Sequence, residues 1–188
     1  MGPSVADAAR ALAAGRLIAY PTDTLLGLGA RATDRAAVRR LQAAKGRSSG
    51  QPISVAVSST EEVERLAVLS PVARRFVRTH LPGPYTVLVR PSAAARRSLA
   101  PEVLAGGRTL GLRLPDHPVA RELARRVGPL TATSANRHDR PPCRTPAEIR
   151  ATFGTQVAVI LPPRPRVSGI PSRLVDLTGP RPRAVSRR

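Results

Sequence analysis

The sequence predicts an α/β layered domain with a mixed β-sheet. Short apolar segments alternate with amphipathic segments along the 188 residues, which is the pattern of strands connected by helices. The late apolar segments follow one another without helices between them, so a mixed sheet is favoured over a purely parallel one. Hydrophobic residues make up 41% of the chain, enough for one core, and no linker or repeat divides it. We therefore expect residues 1–188 to form a single domain.

The chain begins with a predicted helix and a short buried strand. The segment "SVADAARALAAG" has helical spacing and should end near Gly15, and the strand should occupy about 16–20. The next segment, "PTDTLLGLGA", is rich in turn and capping residues, which favours a loop.

The remaining elements are predicted from their periodicity and from residues that begin helices. Thr33 or Asp34 is the candidate N-cap of the second helix, Ser70 precedes a proline, and Thr145 has a glutamate at capping-box spacing. The predicted helices are "TDRAAVRRLQAAKGR", "TEEVERLAVL", "SPVARRFVRTH", "PVARELARRVG" and "TPAEIRATFG". The predicted strands are "PISVAV", "YTVLVR", "TLGLRLP", "PLTAT", "QVAVIL", "SRLVDL" and "PRAVSR". Residues from about 180 to 188 could alternatively form a disordered basic tail.

The chain is strongly basic. Its formal net charge is +19, and Lys45 is the only lysine among 31 basic residues. Such a surface attracts polyanions, among them tRNA, nucleotides and acidic partners. The alternative is that most arginines lie on solvated helix faces and reflect composition. Aromatic residues are only 2% of the chain, which argues against a stacking platform for single-stranded nucleic acid.

Several functional classes are disfavoured by what the sequence lacks. There is no apolar run long enough to span a membrane and no signal-peptide core, so a cytoplasmic location is expected. Cys143 is the single cysteine, which excludes an internal disulfide, and with three scattered histidines it gives no zinc-type ligand spacing. The sequence assigns no residue as a metal ligand. Neither a Walker A loop nor a G-x-S-x-G nucleophile elbow occurs.

Four polar loops follow or interrupt apolar strands, at 21–24, 45–52, 133–136 and 168–176. Ligands of α/β sheets usually bind at strand ends, where backbone groups and short side chains converge. Taken singly, each loop is equally consistent with ordinary turn and capping residues.

Three of the charged residues point to anion binding. In "KGRSSGQP", Lys45 supplies a compact charge and Arg47 a bidentate fork beside a Ser-Ser-Gly stretch that permits close backbone approach, which suits a polyphosphate. The alternative is a solvated helix end with favourable dipole charges. Arg113 lies among apolar neighbours in "GLRLPDH", where a carboxylate clamp or a structural ion pair would explain it.

Taken together, the polar loops resemble the YrdC-like family of threonylcarbamoyl-AMP synthases. Six stretches match in the family's order and run from about residue 16 to 179: "AYPTDTLLGLGA", "KGRSSGQPISV", "LPGPYTVLV", "GLRLPDHPVA", "PLTATSAN" and "GIPSRLVDLTG". The resemblance implies a twisted mixed sheet flanked by helices, with a deep basic cleft.

The resemblance also implies a reaction and its partners. L-threonine, bicarbonate or CO₂, and ATP would condense to threonylcarbamoyl-AMP with release of pyrophosphate. A magnesium ion bridging the ATP phosphates is expected. The threonylcarbamoyl group would then pass to the adenosine beside the anticodon of tRNA, directly or through partner proteins.

Roles for individual residues follow from the same resemblance. Lys45 and Arg47 would be the catalytic cations. The implied ATP-binding residues are Lys45, Arg47, Ser49, Ser134, Asn136 and either Arg183 or Arg187. The implied threonine-binding residues are Thr22, Ser54, Arg113, Thr133 and Ser172.

The chain departs from the family pattern at three places. Leu26 stands where a tyrosine is common, Arg173 replaces a small hydroxyl residue, and the ending "PRAVSRR" lacks the usual Arg-x-Gly. These departures motivate a second hypothesis, a related carbamoyl-adenylate-forming enzyme with another acceptor or donor. The net charge motivates a third, an RNA-binding paralogue without catalysis.

Overall fold

Two mixed β-sheets with helices packed against them form the fold, in a computed structural model that describes residues 2–48, 50–164 and 167–186. In the described residues the smaller sheet has four strands, in the order β8 (Thr133–Ser134), β2 (Leu26–Gly29), β1 (Leu17–Pro21) and β9 (Val157–Ile160). Strand β1 runs antiparallel to β2 and parallel to β9.

The larger sheet also mixes parallel and antiparallel pairs. Its strand order is β11 (Arg183–Val185), β10 (Arg173–Asp176), β5 (Tyr85–Pro91), β6 (Leu110–Arg113), β3 (Val55–Ala56) and β7 (Leu130–Thr131). A short strand, β4 (Ala67–Val68), pairs with β5. Strands β5 and β10 are parallel, whereas β5 and β6 are antiparallel. The predicted α/β fold with a mixed sheet is confirmed, although the strands form two sheets.

The predicted helices all form, with shorter bounds. They are α1 (Val5–Ala13), α2 (Arg35–Lys45), α3 (Thr60–Leu66), α4 (Pro71–His80), α7 (Pro118–Val127) and α8 (Pro146–Phe153). The N-cap of α2 is Asp34, whose side chain accepts a hydrogen bond from the Ala37 amide at 3.0 Å. Two short helices were not predicted, α5 (Ala93–Ser98) and α6 (Pro101–Leu104). No helix in the described part of the chain is long and apolar enough to cross a membrane.

The C-terminal segment is a strand in the part that the structure describes. Residues Arg183–Val185 form β11 and pair antiparallel with β10, within the strand predicted for "PRAVSR". Residues 187 and 188 lie outside the described residues.

The prediction of a loop over "PTDTLLGLGA" was wrong. Leu26–Gly29 forms β2, a fully buried strand that pairs with β1 in a tight hairpin. The glycines are present because the ring of Tyr20 packs against them: a Cβ built on Gly29 would lie 2.9 Å from Tyr20 Cε1, and one on Gly27 would lie 3.1 Å from it. These glycines therefore allow the ring of Tyr20 to pack closely against β2, whereas the sequence pattern suggested a turn.

We expect Gly29→Ala to destabilise the protein by about 1–3 kcal/mol, because the added methyl overpacks this site. Tyr20 cannot easily move away, since its ring is fully buried and its hydroxyl donates to the Thr131 carbonyl at 3.0 Å. Urea unfolding followed by circular dichroism would measure the loss. Gly179→Ala is the matched control, because a Cβ there meets nothing within 4 Å. Equal stability of the two variants would contradict the packing argument.

Candidate active site

A cavity of about 680 Å³ lies where strands of both sheets converge. The smaller sheet contributes residues of β1, β2 and β8 to its lining, and the larger sheet contributes residues of β5, β6, β10 and β11. The volume is in the range of pockets that hold small-molecule ligands. Its lining combines basic, hydroxyl and aliphatic side chains.

The structure brings nine of the predicted site residues into this one cavity. They are Thr22, Lys45, Arg47, Ser54, Arg113, Thr133, Ser134, Asn136 and Ser172. Ser49 and Arg187 lie outside the described residues, so their predicted roles stay predictions. Arg183 is not part of the described lining, and its guanidinium lies 3.4 Å from the carboxylate of Asp176. The four loops noted in the sequence are thus neighbours in space, although they are separated along the chain.

Lys45 is buried, with only 3% of the residue exposed, so the interpretation of a solvated helix end was wrong. It is the last residue of α2, and its ammonium donates to the carbonyls of Ser134 at 2.6 Å and Asn136 at 2.7 Å. Burial, reinforced by the charge of Arg47, lowers the pKa of Lys45 to about 8. The side chain therefore links α2 to the end of β8 and to the turn that follows it, and Lys45 lines the cavity.

Arg47 and Asn136 make local contacts that shape the rim of the cavity. The guanidinium of Arg47 donates to the Pro52 carbonyl at 2.7 Å, which folds the loop after α2 back on itself. Burial lowers the pKa of Arg47. The side-chain amide of Asn136 donates to the carbonyls of Arg137 and Arg140, at 2.8 and 2.7 Å. Asn136 thus holds the turn after β8 in place.

Arg113 lines the cavity and forms a buried ion pair. Its Nη2 atom lies 2.6 Å from Asp23 Oδ1 and donates to Thr24 Oγ1 at 2.6 Å. Among the described residues, neither the Nε atom of Arg113 nor Oδ2 of Asp23 has a hydrogen-bond partner. Of the two explanations for a strand arginine, the ion pair is present. Both of these contacts use the Nη2 atom of Arg113.

Thr22 closes the turn that presents Asp23. Its hydroxyl donates to the Leu25 carbonyl at 2.7 Å and accepts from the amides of Thr24 and Leu25, each at 3.2 Å. Thr22 therefore positions the turn as well as lining the cavity.

Sequence reasoning missed several lining residues. Thr24 contacts Arg113 directly, and Thr86, Leu174 and Val185 come from strands of the larger sheet. The strands were predicted, but strand periodicity alone does not say which face borders a ligand cavity. Gln51, His138 and Asp139 complete the rim, and they had no sequence signal beyond lying in or beside a polar loop.

The two substitutions that depart from the family pattern lie in different environments. Leu26 is buried on β2 and lines the cavity, so the change from tyrosine alters the site itself. Arg173 is exposed and is not among the described lining residues, whereas its neighbours Ser172 and Leu174 are. Strand alternation turns Arg173 away, so its bulk does not fill the cavity.

The donor set does not fit a magnesium ion held by the protein alone. No group of three or more His, Cys, Asp or Glu side chains in the described ranges could hold a metal. Asp139 is the one carboxylate among the described lining residues. Magnesium prefers several oxygen ligands, so an ion here would need phosphate and water oxygens.

The family model for Sua5, YciO and YrdC proteins, described as "telomere recombination", matches residues 10–188. The chain belongs to the Sua5/YciO/YrdC family. This assignment confirms the resemblance inferred from the six stretches.

Relatives within the Sua5/YciO/YrdC family match almost the whole chain. A Mycobacterium tuberculosis protein (strain H37Rv) is 39% identical over 182 residues, which are 96% of this chain and 82% of the relative. A Chromohalobacter salexigens protein named threonylcarbamoyl-AMP synthase is 37% identical over 158 residues, 83% of either chain. The structure of P. abyssi Sua5 complexed with L-threonine superposes with a TM-score of 0.84 at 29% identity. The superposition covers 96% of this chain but only 52% of the P. abyssi Sua5 chain.

Proposed function

We propose that this protein is a threonylcarbamoyl-AMP synthase, which condenses L-threonine, bicarbonate or CO₂, and ATP and releases pyrophosphate. One observation carries the proposal: a single cavity is lined by the three cations Lys45, Arg47 and Arg113, of which Lys45 and Arg113 are buried. The first two suit a triphosphate and the third a carboxylate. The names of the curated relatives and the threonine complex of P. abyssi Sua5 support the same activity.

The chemistry asks for alignment and charge neutralisation more than for covalent catalysis. The amine of threonine adds to CO₂ and loses a proton to give a carbamate. A carbamate oxygen then attacks the α-phosphorus of ATP, and the bond to the β-phosphate oxygen breaks. Lys45 and Arg47 would offset the charge that develops on the departing pyrophosphate. Arg113 would hold the threonine carboxylate, and the walls would exclude water from the labile product.

The remaining substrate-binding roles keep the assignments implied by the family. Ser134 and Asn136 would meet the nucleotide, and Thr22, Ser54, Thr133 and Ser172 would surround threonine. A magnesium ion would enter on the ATP phosphates. The product would serve modification of tRNA in the cytoplasm, reached directly or through transfer proteins, and the basic surface favours contact with RNA.

Pyrophosphate release measured with and without L-threonine and bicarbonate tests the proposal. The wild-type protein should release pyrophosphate only when both are present with ATP. Release that ignores threonine and responds to carbamoyl phosphate would instead favour a related carbamoyl-adenylate enzyme. Salt-sensitive RNA binding without any ATP turnover would favour the non-catalytic paralogue.

The lowered pKa of Lys45 predicts that ATP binding weakens in mild alkali. Lys45 is protonated below its pKa of about 8 and loses its charge above that value. The dissociation constant for ATP should therefore rise about tenfold between one and two pH units above the pKa. Calorimetric titration from pH 7 to 10 would show this. Lys45→Met is the control, because it should bind weakly and without this pH dependence. An identical pH profile in both proteins would contradict the assignment to Lys45.

A further inference from the structure

Four strands of the larger sheet present a row of side chains along one wall of the cavity. Val185 on β11 pairs with Leu174 on β10, and Leu174 pairs with Thr86 on β5. Strand β5 pairs Val87 with Leu112 on β6, and continuing that register by one residue sets Thr86 opposite Arg113. Directly opposite residues of paired strands point to the same face. All four side chains line the cavity.

The row changes in character from one end to the other. Val185 and Leu174 are aliphatic, Thr86 carries a hydroxyl, and Arg113 carries a charge. Neighbouring side chains in such a row are about 5 Å apart at their Cβ atoms. One small amino acid can therefore touch several of them at once.

Thr86 is held so that its hydroxyl can serve a ligand. It is 3% exposed, and its Oγ1 lies 2.8 Å from the Oγ of Ser172, which is 6% exposed. A hydroxyl has one donor and two acceptor positions, so the contact with Ser172 leaves hydrogen-bonding capacity on the hydroxyl of Thr86. A hydroxyl at this depth cannot turn to bulk solvent, so a ligand lacking a partner for it is disfavoured.

We infer that this row recognises the side chain of the amino-acid substrate: Thr86 binds the threonine hydroxyl, and Leu174 and Val185 contact its methyl group. The inference rests on the proposed function, in which Arg113 holds the carboxylate. Next to Arg113 in the row stands Thr86 with its hydroxyl, and next to Thr86 stands the aliphatic Leu174. The order matches the carboxylate, hydroxyl and methyl of threonine. Thr86 is thus a specificity-determining residue that the sequence patterns did not reveal.

The test compares threonine with serine, which lacks the methyl group, and with 2-aminobutyrate, which lacks the hydroxyl. The readout is kcat/KM for amino-acid-dependent pyrophosphate release. In Thr86→Val the preference for threonine over 2-aminobutyrate should fall about tenfold or more, whereas Thr86→Ser should keep it. In Leu174→Ala the preference for threonine over serine should fall about tenfold, with the other ratio unchanged.

The outcomes separate this inference from the proposed function. A wild-type protein that uses none of the three amino acids would overturn both. A wild-type protein that prefers threonine, with a Thr86→Val variant that keeps both ratios, would overturn the inference alone. Equal losses for all three amino acids in Thr86→Val would also overturn it, because they indicate a purely structural contact with Ser172. Thr109→Val, outside the described lining, is the matched control and should keep both ratios.

Discussion

Replacing Lys45 with alanine should reduce pyrophosphate release by about 100- to 1,000-fold, the cost of removing a preorganised charge from an active site. Two effects combine in this loss. In the proposed function the ammonium offsets phosphate charge, and it also joins α2 to the carbonyls of Ser134 and Asn136, at 2.6 and 2.7 Å. A single-turnover assay with saturating threonine and bicarbonate would measure the defect. Arg39→Ala, on the same helix but largely exposed, should retain activity.

The variant Lys45→Arg tests whether the site requires a lysine. Of the 31 basic residues in the chain, 30 are arginines and Lys45 is the one lysine. The side chain is 3% exposed and has two carbonyl partners. A planar guanidinium is bulkier than an ammonium and presents its donors in a fixed fork. We expect activity to fall about tenfold or more, because the extra atoms overpack the site. Near-normal activity would mean that the lone lysine is an accident of composition.

How much of the site can be predicted from the sequence depends on how far apart along the chain the interacting residues are. Lys45 was found because it is the only lysine and stands beside Arg47 and a Ser-Ser-Gly stretch. Arg113 was found because a charged residue among the apolar neighbours of a strand is unusual. The burial of Lys45 was not found, because it depends on carbonyls at residues 134 and 136, about 90 positions away along the chain. Asp23 is a turn residue by composition, and only the fold brings it to Arg113.

The same holds for the fold: features set by neighbouring residues along the chain were predicted, and features set by distant residues were missed. Caps and periodicity placed the six longer helices, because these signals are local to each helix. The hairpin strand β2 was missed because its glycines read as turn residues, whereas they make room for the ring of Tyr20. Thr86 was missed as a site residue because its role depends on its strand neighbours, Leu174 and Arg113.

Arg113→Met should raise the KM for threonine by about 100-fold while ATP binding is retained, because the carboxylate loses its charge partner. The single substitution has a second consequence. It leaves the carboxylate of Asp23, 2.6 Å from the guanidinium in the native protein, buried without a cation. The free energy of unfolding should therefore fall by about 3 kcal/mol. Arg108→Met, an exposed arginine just before β6, is the matched control and should change neither quantity.

The double variant Arg113→Met with Asp23→Asn separates binding from stability. Removing both charges relieves the unpaired carboxylate, so most of the lost stability should return. Threonine use should not return, because nothing replaces the clamp. Urea unfolding and threonine titration of the same preparations would give both numbers. If the double variant instead bound threonine like the wild type, the pair of Arg113 with Asp23 would serve the fold alone, and the carboxylate of the substrate would have to be held elsewhere in the cavity.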